Sequence, residues 1–319
     1  MIFNMKRGLA KEKILQLLNT SKKPLSGEFI AKSIGISRTA VWKNIQNLKK
    51  AGFNIITTAK GYLLKDNDEL SPEDFEDFKI KTICLKETSS TMDVAKIEME
   101  NSAEKVLVIA EKQTQGRGRL GREWISQEGG AWFSLGIRPK IALKECFIFT
   151  YIAGLAVVKA ILEVTGLPTF LKWPNDVIYK KSGQEKKLAG ILLEVKGEVD
   201  MVNYIIIGIG VNVNNSISNF EPTAISIKEI LKYPISKKRL IQKILIKIFK
   251  LMDLPSIEIL KMWKRNSITL GRSVKIIQPN REIIGLALDI SEDGALIVQT
   301  PDMFLYKIYS GDCIHAKII

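Results

Sequence analysis

Near the start of the chain, three stretches carry apolar residues at helical spacing. In KEKILQLLN, Ile14, Leu15, Leu17 and Leu18 gather on one side of a helix. Ser26 then stands before GEFIAKSIG, where Phe29, Ile30 and Ile34 share a face and Gly35 supplies a stop. Ser37 can cap a third helix over RTAVWKNIQNLKKAG, with Val41, Ile45 and Leu48 facing inward. FNIITTAKGYLLK follows as two short strands around Ala59–Gly61. A helix, a tight turn, a second amphipathic helix and a β-hairpin together predict a winged helix-turn-helix over residues 1–65.

The pattern then changes. KDNDELSPEDFED (65–77) is acidic, contains Pro72 and reads as a linker. From residue 80 to about 270, runs that look extended (KVLVIAEKQ, GAWFSLGIRP, TFLKWPNDVIY, KLAGILLEV, MVNYIIIGIGVNVN) alternate with helical ones. ECFIFTYIAGLAVVKAILEVTG reads as one long buried helix, and residues 237–266 add helical patterning around Leu240, Ile244, Ile248 and Leu251. This predicts an α+β domain over 66–270 with a mixed or largely antiparallel sheet. Residues 271–319 break into five short strands at Pro-Asn, Glu-Asp-Gly and Pro-Asp turns, the spacing of a small SH3-like barrel. The fold class expected is therefore α+β and multidomain. No period repeats along the chain.

Composition narrows the chemistry. Hydrophobic residues make up 46% of the 319 and charged residues 26%, as in ordinary globular domains. No uninterrupted apolar run approaches the ~20 residues of a membrane span, and MIFNMKRGLAKEK lacks a secretory apolar stretch. A cytoplasmic protein with no membrane partner is expected. Cys84, Cys146 and Cys313 lack paired spacing and His315 is the single histidine, so neither a disulfide framework nor a His/Cys metal site is expected. A triad hydrolase and a zinc enzyme are set aside on the same ground.

Charge is segregated. Residues 1–65 hold 13 Lys and Arg against two acids, whereas the remaining 254 residues hold 35 basic and 32 acidic groups. A positive field concentrated on a small unit suggests a polyanion partner, although a solvated basic face would look the same. On the third helix Ser37, Arg38, Thr39, Trp42, Lys43, Asn44 and Gln46 are candidates to meet phosphates and base edges. A protein-docking module of the same shape is the alternative.

The most distinctive segment is QTQGRGRLGREW (113–124). Gly116, Gly118 and Gly121 spell GxGxxG, but an alternating stretch follows where a dinucleotide fold requires a helix, and no acidic residue closes a βαβ unit. A Walker A sequence is absent as well. What remains is a loop interleaving glycines with Arg117, Arg119 and Arg122. Glycines let backbone wrap closely around a ligand, and guanidinium groups bind phosphate or carboxylate oxygens in pairs. Trp124 can cover a flat base or exclude water. A basic surface hairpin is the plainer alternative.

GRGRLGR resembles the adenylate-binding loop of bacterial biotin protein ligases. KWPND (172–176), KLAGILLE (187–194) and GIGVNVN (208–214) follow in that family's order, and the N-terminal winged helix is similar to its bifunctional, operon-repressing branch. The resemblance implies ATP with magnesium, biotin as substrate, a biotinyl-5′-AMP intermediate and transfer to a lysine of a biotin carboxyl carrier protein. It also implies operator DNA, and a homodimer that forms in the adenylate-bound state and competes with carrier docking.

Within that likeness Ser90, Thr91, Gln113 and Arg117–Arg119 stand at the biotin-ring position, together with Met92, where the family usually carries Asn. Gly116, Gly118, Arg122, Trp124 and Gly190 join the binding set. Lys187 would neutralise charge on the biotin carboxylate and α-phosphate, and Asn212 would touch the ATP phosphates or their magnesium. Lys172, Asp176 and Arg119 would act with Lys187 in catalysis, Asp176 by orienting the acceptor amine or taking its proton. Residues 214–229 would form a second loop over the adenine. Leu188–Val195 and Tyr204–Ile209 would give an edge for dimer or carrier. The end, YSGDCIHAK, departs from the family's usual Gly-Gly-Asp/Glu-Ile-Ser, so Ser310 and His315 inherit no role. A ligase for lipoate or another small acid, and a repressor that senses biotin without catalysis, remain as alternatives.

Overall fold

The computed structural model describes residues 2–21, 23–64, 69–198 and 200–315. The expected boundary at residues 65 and 66, the start of the expected linker (65–68) and the chain end (316–319) lie outside them.

Helices α1 (Ile2–Thr20), α2 (Gly27–Ile34) and α3 (Arg38–Lys50) precede a hairpin of β1 (Ile55–Thr58) and β2 (Gly61–Leu64). Ile14, Leu18, Ile30, Val41, Ile45 and Leu48 form their shared core. The caps lie where the sequence put them. Ser26 Oγ accepts from Phe29 N–H at 3.0 Å and Ser37 Oγ from Ala40 N–H at 3.1 Å. Such bonds satisfy donors that a helix start leaves open, each worth about 1 kcal/mol.

The central unit contains β3 (Lys81–Thr88), α4 (Thr91–Glu100), β4 (Lys105–Gln113), β5 (Ala131–Ile137) and α5 (Ile148–Thr165). Strands β6 (Phe170–Lys172), β7 (Asp176–Lys181), β8 (Gln184–Glu198) and β9 (Met201–Val211) follow, then α6 (Ile227–Leu231), α7 (Lys237–Met252) and α8 (Ser256–Asn266). The seven strands run β3-β4-β5-β9-β8-β7-β6, and only β3–β4 is parallel. Both faces of the sheet are covered. Leu107 and Ile109 point to the core holding α5 and α7, while Val106 and Val108 point to the α4 core with Met92, Ala95 and Met99. Strands buried on both faces read as continuous apolar runs, as β4 and β5 do. Leu143–Thr165 is long and apolar enough to cross a membrane, but 72% of its most apolar window is buried, so it serves as the core helix.

The pattern had not indicated β3 and α4, and the linker reading needs correcting. Residues 72–78 form a 3-10 helix whose Phe75 is fully buried in the central core. Asp74 pairs with Lys238 at 2.9 Å, so the acidic run docks on α7 instead of spanning solvent. The expected edge also changes. β9 lies between β5 and β8 and is paired on both sides, so Tyr204–Ile209 is interior. The β7 ladder ends at Gly190, leaving Leu192–Glu198 of β8 open on one side among the described residues.

The C-terminal unit holds β10 (Ser273–Gln278), β11 (Arg281–Ile290), β12 (Leu296–Gln299), β13 (Leu305–Ile308) and β14 (Asp312–His315). These are five antiparallel strands in the order β13-β12-β11-β10-β14, with no β13–β14 ladder to close a barrel among the described residues. Tyr151 donates from its hydroxyl to the Gly294 carbonyl at 2.6 Å, fixing this sheet to α5. The winged unit also packs on the centre. Ser236 N–H donates to the Ala51 carbonyl at 3.3 Å, and the Lys11 ammonium sits 3.4 Å from the Tyr233 ring centroid.

Candidate functional site

A cavity of about 640 Å³ opens on one face of the central sheet, beneath the 113–124 segment and against β14. A cleft of about 900 Å³ separates the winged unit from β3, but its walls bring together fewer of the predicted groups. The smaller cavity is lined by Ser90, Thr91, Met92, Gln113, Arg117, Gly118, Arg119, Arg122, Trp124, Lys172, Asp176, Lys187, Gly190 and Asn212.

Gly116 does not reach it. A Cβ there would lie 2.5 Å from both Ser126 Oγ and the Trp124 carbonyl, so this glycine lets the two arms of the hairpin close rather than touching a ligand.

At one end of the cavity Gln113, the last residue of β4, is clamped from both sides. Its Oε1 accepts from Thr91 N–H (2.8 Å) and Thr91 Oγ1 (3.0 Å), and its Nε2 donates to Ser126 Oγ (2.9 Å). Thr91 Oγ1 also meets Ser134 Oγ at 2.8 Å. Ser90 caps α4 through Met92 N–H, and its side chain is buried. Ser126 and Ser134 were missed from sequence. Ser134 left a trace, as the one polar residue in the buried strand AWFSLGI.

At the centre a bulge interrupts the β7–β8 register between Val177 and Ile178. Bulges re-aim side chains, and here Lys187 Nζ comes to 2.7 Å from Asp176 Oδ1. That carboxylate oxygen is buried and, despite the close ammonium, has no aligned hydrogen bond. The Lys187 backbone binds the 214–229 segment, its N–H donating to the Thr223 carbonyl (2.8 Å) and its carbonyl accepting from Ile225 N–H (2.9 Å). Lys172 lines the same space and makes no ion pair among the described residues.

Trp124 lies across the sheet. Gly190 and Gly210 face each other on β8 and β9, and a Cβ on either would come within 3.0 Å or 2.5 Å of the indole. Lys187 Nζ stands 5.0 Å from the ring centroid. The Trp124 Nε1 is buried without a hydrogen-bond partner among the described residues, an unmet donor at the cavity wall. Gly210 was not anticipated, because its need for a bare backbone arises only from a tryptophan 86 positions earlier.

The arginines diverge. Arg117 pairs with Asp93 (2.7 Å) and Glu194 (3.0 Å), and the Asp93 hydrogen bond raises its pKa further. Arg119 is more buried, which lowers its pKa, and it donates to the Gly311 carbonyl at 3.3 Å, with Asn175 Oδ1 at 3.5 Å. Arg122 pairs with Asp312 of the C-terminal sheet. Asn212 is 2% exposed, and its Oδ1 accepts from Asn215 Nδ2 at 2.9 Å.

On the winged unit Arg38, Thr39, Trp42 and Lys43 are exposed on α3, and Gln46 is half-buried. Ser37 is exposed and accepts from Ala40 N–H as the helix cap, and half-buried Asn44 donates from Nδ2 to the Ala40 carbonyl at 2.9 Å. His315, left without a role, is a packing residue. It bridges Thr269 Oγ1 (3.0 Å) and Glu185 Oε2 (2.9 Å), and burial lowers its pKa.

Comparison with known proteins follows the same division. Residues 11–63 match an HTH domain, 84–212 the Biotin/lipoate A/B protein ligase family and 269–316 the Biotin protein ligase C terminal domain. The Bifunctional ligase/repressor BirA of Bacillus subtilis (strain 168) is 36% identical over 97% of this chain and 99% of its own. The Escherichia coli (strain K12) protein of the same name is 27% identical over 86% and 88%. Among solved structures, the biotin protein ligase from Aquifex aeolicus in complex with biotin and ATP aligns with a TM-score of 0.61. It shares 31% identity, covering 74% of this chain and 99% of that one.

Proposed function

The chain belongs to the bifunctional ligase/repressor family, and on that premise we propose that its cleft joins biotin to AMP and passes it to a carrier lysine. The observation that carries this reading is the convergence of Lys187, Lys172, Asp176 and Arg119 on one cavity beneath a tryptophan. In the first step a biotin carboxylate oxygen attacks the α-phosphorus of ATP, and pyrophosphate departs with its bonding pair. In the second, a carrier lysine amine attacks the biotinyl carbonyl, AMP leaves, and the amine loses a proton. Lys187 stabilises the charge that builds between carboxylate and phosphate, a role suited to a fixed cation in a water-poor site. Asp176, its partner in the free protein, receives or orients the attacking amine once Lys187 turns to the adenylate. Lys172, which makes no ion pair among the described residues, meets the phosphate.

The Thr91–Gln113–Ser126–Ser134 network supports a polar end for the biotin ring, with Met92 as its apolar neighbour. Trp124 supports a flat cover for the adenylate, and the 214–229 segment a second wall. Magnesium would arrive with the nucleotide and neutralise phosphate charge. Such ions keep waters and take few protein ligands, and Asn212 Oδ1 retains one lone pair beyond its Asn215 bond.

Domain limits at 1–65, 66–270 and 271–319, operator DNA held by Ser37, Arg38, Thr39, Trp42, Lys43, Asn44 and Gln46, and a cytoplasmic setting belong to the same proposal. So do repression of biotin genes and a homodimer formed along the open half of β8 in the adenylate-bound state. Biotin-dependent exchange of labelled pyrophosphate into ATP tests the first step. Exchange with biotin is expected. Exchange with lipoate alone would redirect the substrate, and no exchange with either would leave a silent sensor.

A further inference from the structure

The three loop arginines are mounted on two different parts of the molecule, and the mounts differ in kind. Arg117 is held by two carboxylates of the central unit, Asp93 on α4 and Glu194 on β8. Arg122 is held by one carboxylate of the C-terminal unit, Asp312 at the start of β14, and Arg119 adds a bond to the neighbouring Gly311 carbonyl. Between the mounts the hairpin is closed on itself, Gly118 N–H to the Arg122 carbonyl at 2.7 Å and Trp124 N–H to the Gly116 carbonyl at 2.8 Å. These bonds tie its two arms together, and Trp124 stands at the end of one of them. The Arg122 side chain is 62% exposed against 31% for Arg117 and meets one carboxylate instead of two, so this second mount is the weaker one. An exposed ion pair shifts an equilibrium by no more than about five-fold and is screened by salt.

We propose that Asp312 is a positioning residue for the ligase reaction. It latches the 116–124 hairpin over the cleft through Arg122, so the C-terminal unit sets how long the activated intermediate is retained. The proposal rests on the ligase reading above. A loop covering a mixed anhydride must stay shut against water yet open for the acceptor protein. Two carboxylates at Arg117, against one at Arg122 with the Arg119 bond to the Gly311 carbonyl beside it, give it a tighter side and a looser side. Asp312 lines the cavity beside Arg119, and its ion pair is with Arg122, through which it holds the hairpin.

Three measurements on the intact chain test the latch, using Asp312→Asn and the charge-retaining Asp312→Glu. In ligand-free protein, trypsin should cut after Arg119 and Arg122 about three- to five-fold faster in Asp312→Asn, with Asp312→Glu close to wild type. After charging with biotin and Mg-ATP, the Asn variant should release biotinyl-AMP faster by a similar factor, and its release should lack the salt dependence expected of wild type. Biotin affinity measured without nucleotide should change by less than about two-fold. Unchanged trypsin cleavage of the hairpin would overturn the latch whether or not the protein makes an adenylate. Equal losses of biotin affinity and adenylate retention would overturn it too, by pointing to general damage. Wild-type protein that forms no biotinyl-AMP would instead count against the ligase reading.

Discussion

Lys187 and Asp176 are eleven positions apart and meet only because a bulge shifts the β7–β8 ladder. In the free protein each neutralises the other. In the proposed reaction a ligand that draws Lys187 away would leave a carboxylate to meet the acceptor amine. Asp176→Asn is thus expected to keep biotin-dependent pyrophosphate exchange while slowing carrier transfer by about 10²-fold or more, the usual size of a lost general base. Parallel assays of the two half-reactions check it, and equal losses in both would remove the proposed division of labour. Gly210 gives a steric counterpart. A methyl group placed 2.5 Å from Trp124 Nε1 forces the indole off the sheet. Overpacking of this kind costs about 1–3 kcal/mol, so Gly210→Ala should weaken adenylate binding by about ten-fold or more. Calorimetric titration with a non-hydrolysable adenylate analogue reads that directly.

Elements with a complete local signal were legible in advance. The caps and the i, i+4 spacing of Val41 and Ile45 fix α3, and α5 declares itself by thirteen buried residues in one run. α4 escaped because only Met92, Ala95 and Met99 face the core, within a helix of ten residues otherwise read as a ligand motif. Phe75 was hidden in an acidic run, and its burial depends on α7, far away in sequence. In the site, the motif residues were legible as types. Their partners were not, since Arg122–Asp312 and Trp124–Gly210 join segments that only the fold brings together.

The junction of β14 with the β7–β8 hairpin carries its own prediction. Burial and nearby Lys172 and Arg272 lower the pKa of His315 below 6.5, although Glu185 pulls the other way. Burial opposes ionisation of Glu185, but hydrogen bonds from His315 and Arg272 still hold its pKa below 4.5. For both groups the unfolded chain binds protons more readily than the folded one, so stability is lost on acidification. The histidine contribution is complete above pH 6.5 and falls as the pH drops through the folded value, and the glutamate contribution falls below 4.5. Thermal unfolding should shift to lower temperature between pH 7.5 and 5.5, and His315→Gln should flatten that dependence. A dependence unchanged in the variant would assign it elsewhere.

Across the whole molecule, charge and packing divide the labour. The winged unit carries the excess of positive charge, and Arg38, Thr39 and Lys43 stand exposed on α3. Arg38→Ala should weaken operator binding and reduce the slope of its logarithmic salt dependence by about one if the contact is to a phosphate. Gel-shift titrations at several salt concentrations measure both. The same unit is not a free tether. Ala51 and Phe53 pack into the central core, and Glu12 pairs with Lys228 at 3.3 Å, at the start of α6. The 214–229 segment, which binds the Lys187 backbone, runs straight into that helix. A ligand that orders the segment therefore acts on a part of the chain in contact with the DNA-binding unit.

The most direct test of the proposed activity is to incubate the full-length protein with biotin, Mg-ATP and a biotin carboxyl carrier domain, and to weigh the carrier by mass spectrometry. The ligase reading predicts a gain of one biotinyl group that requires ATP and is lost in Lys187→Ala. An unchanged carrier mass, under conditions where an authentic biotin ligase modifies the same domain, would contradict it.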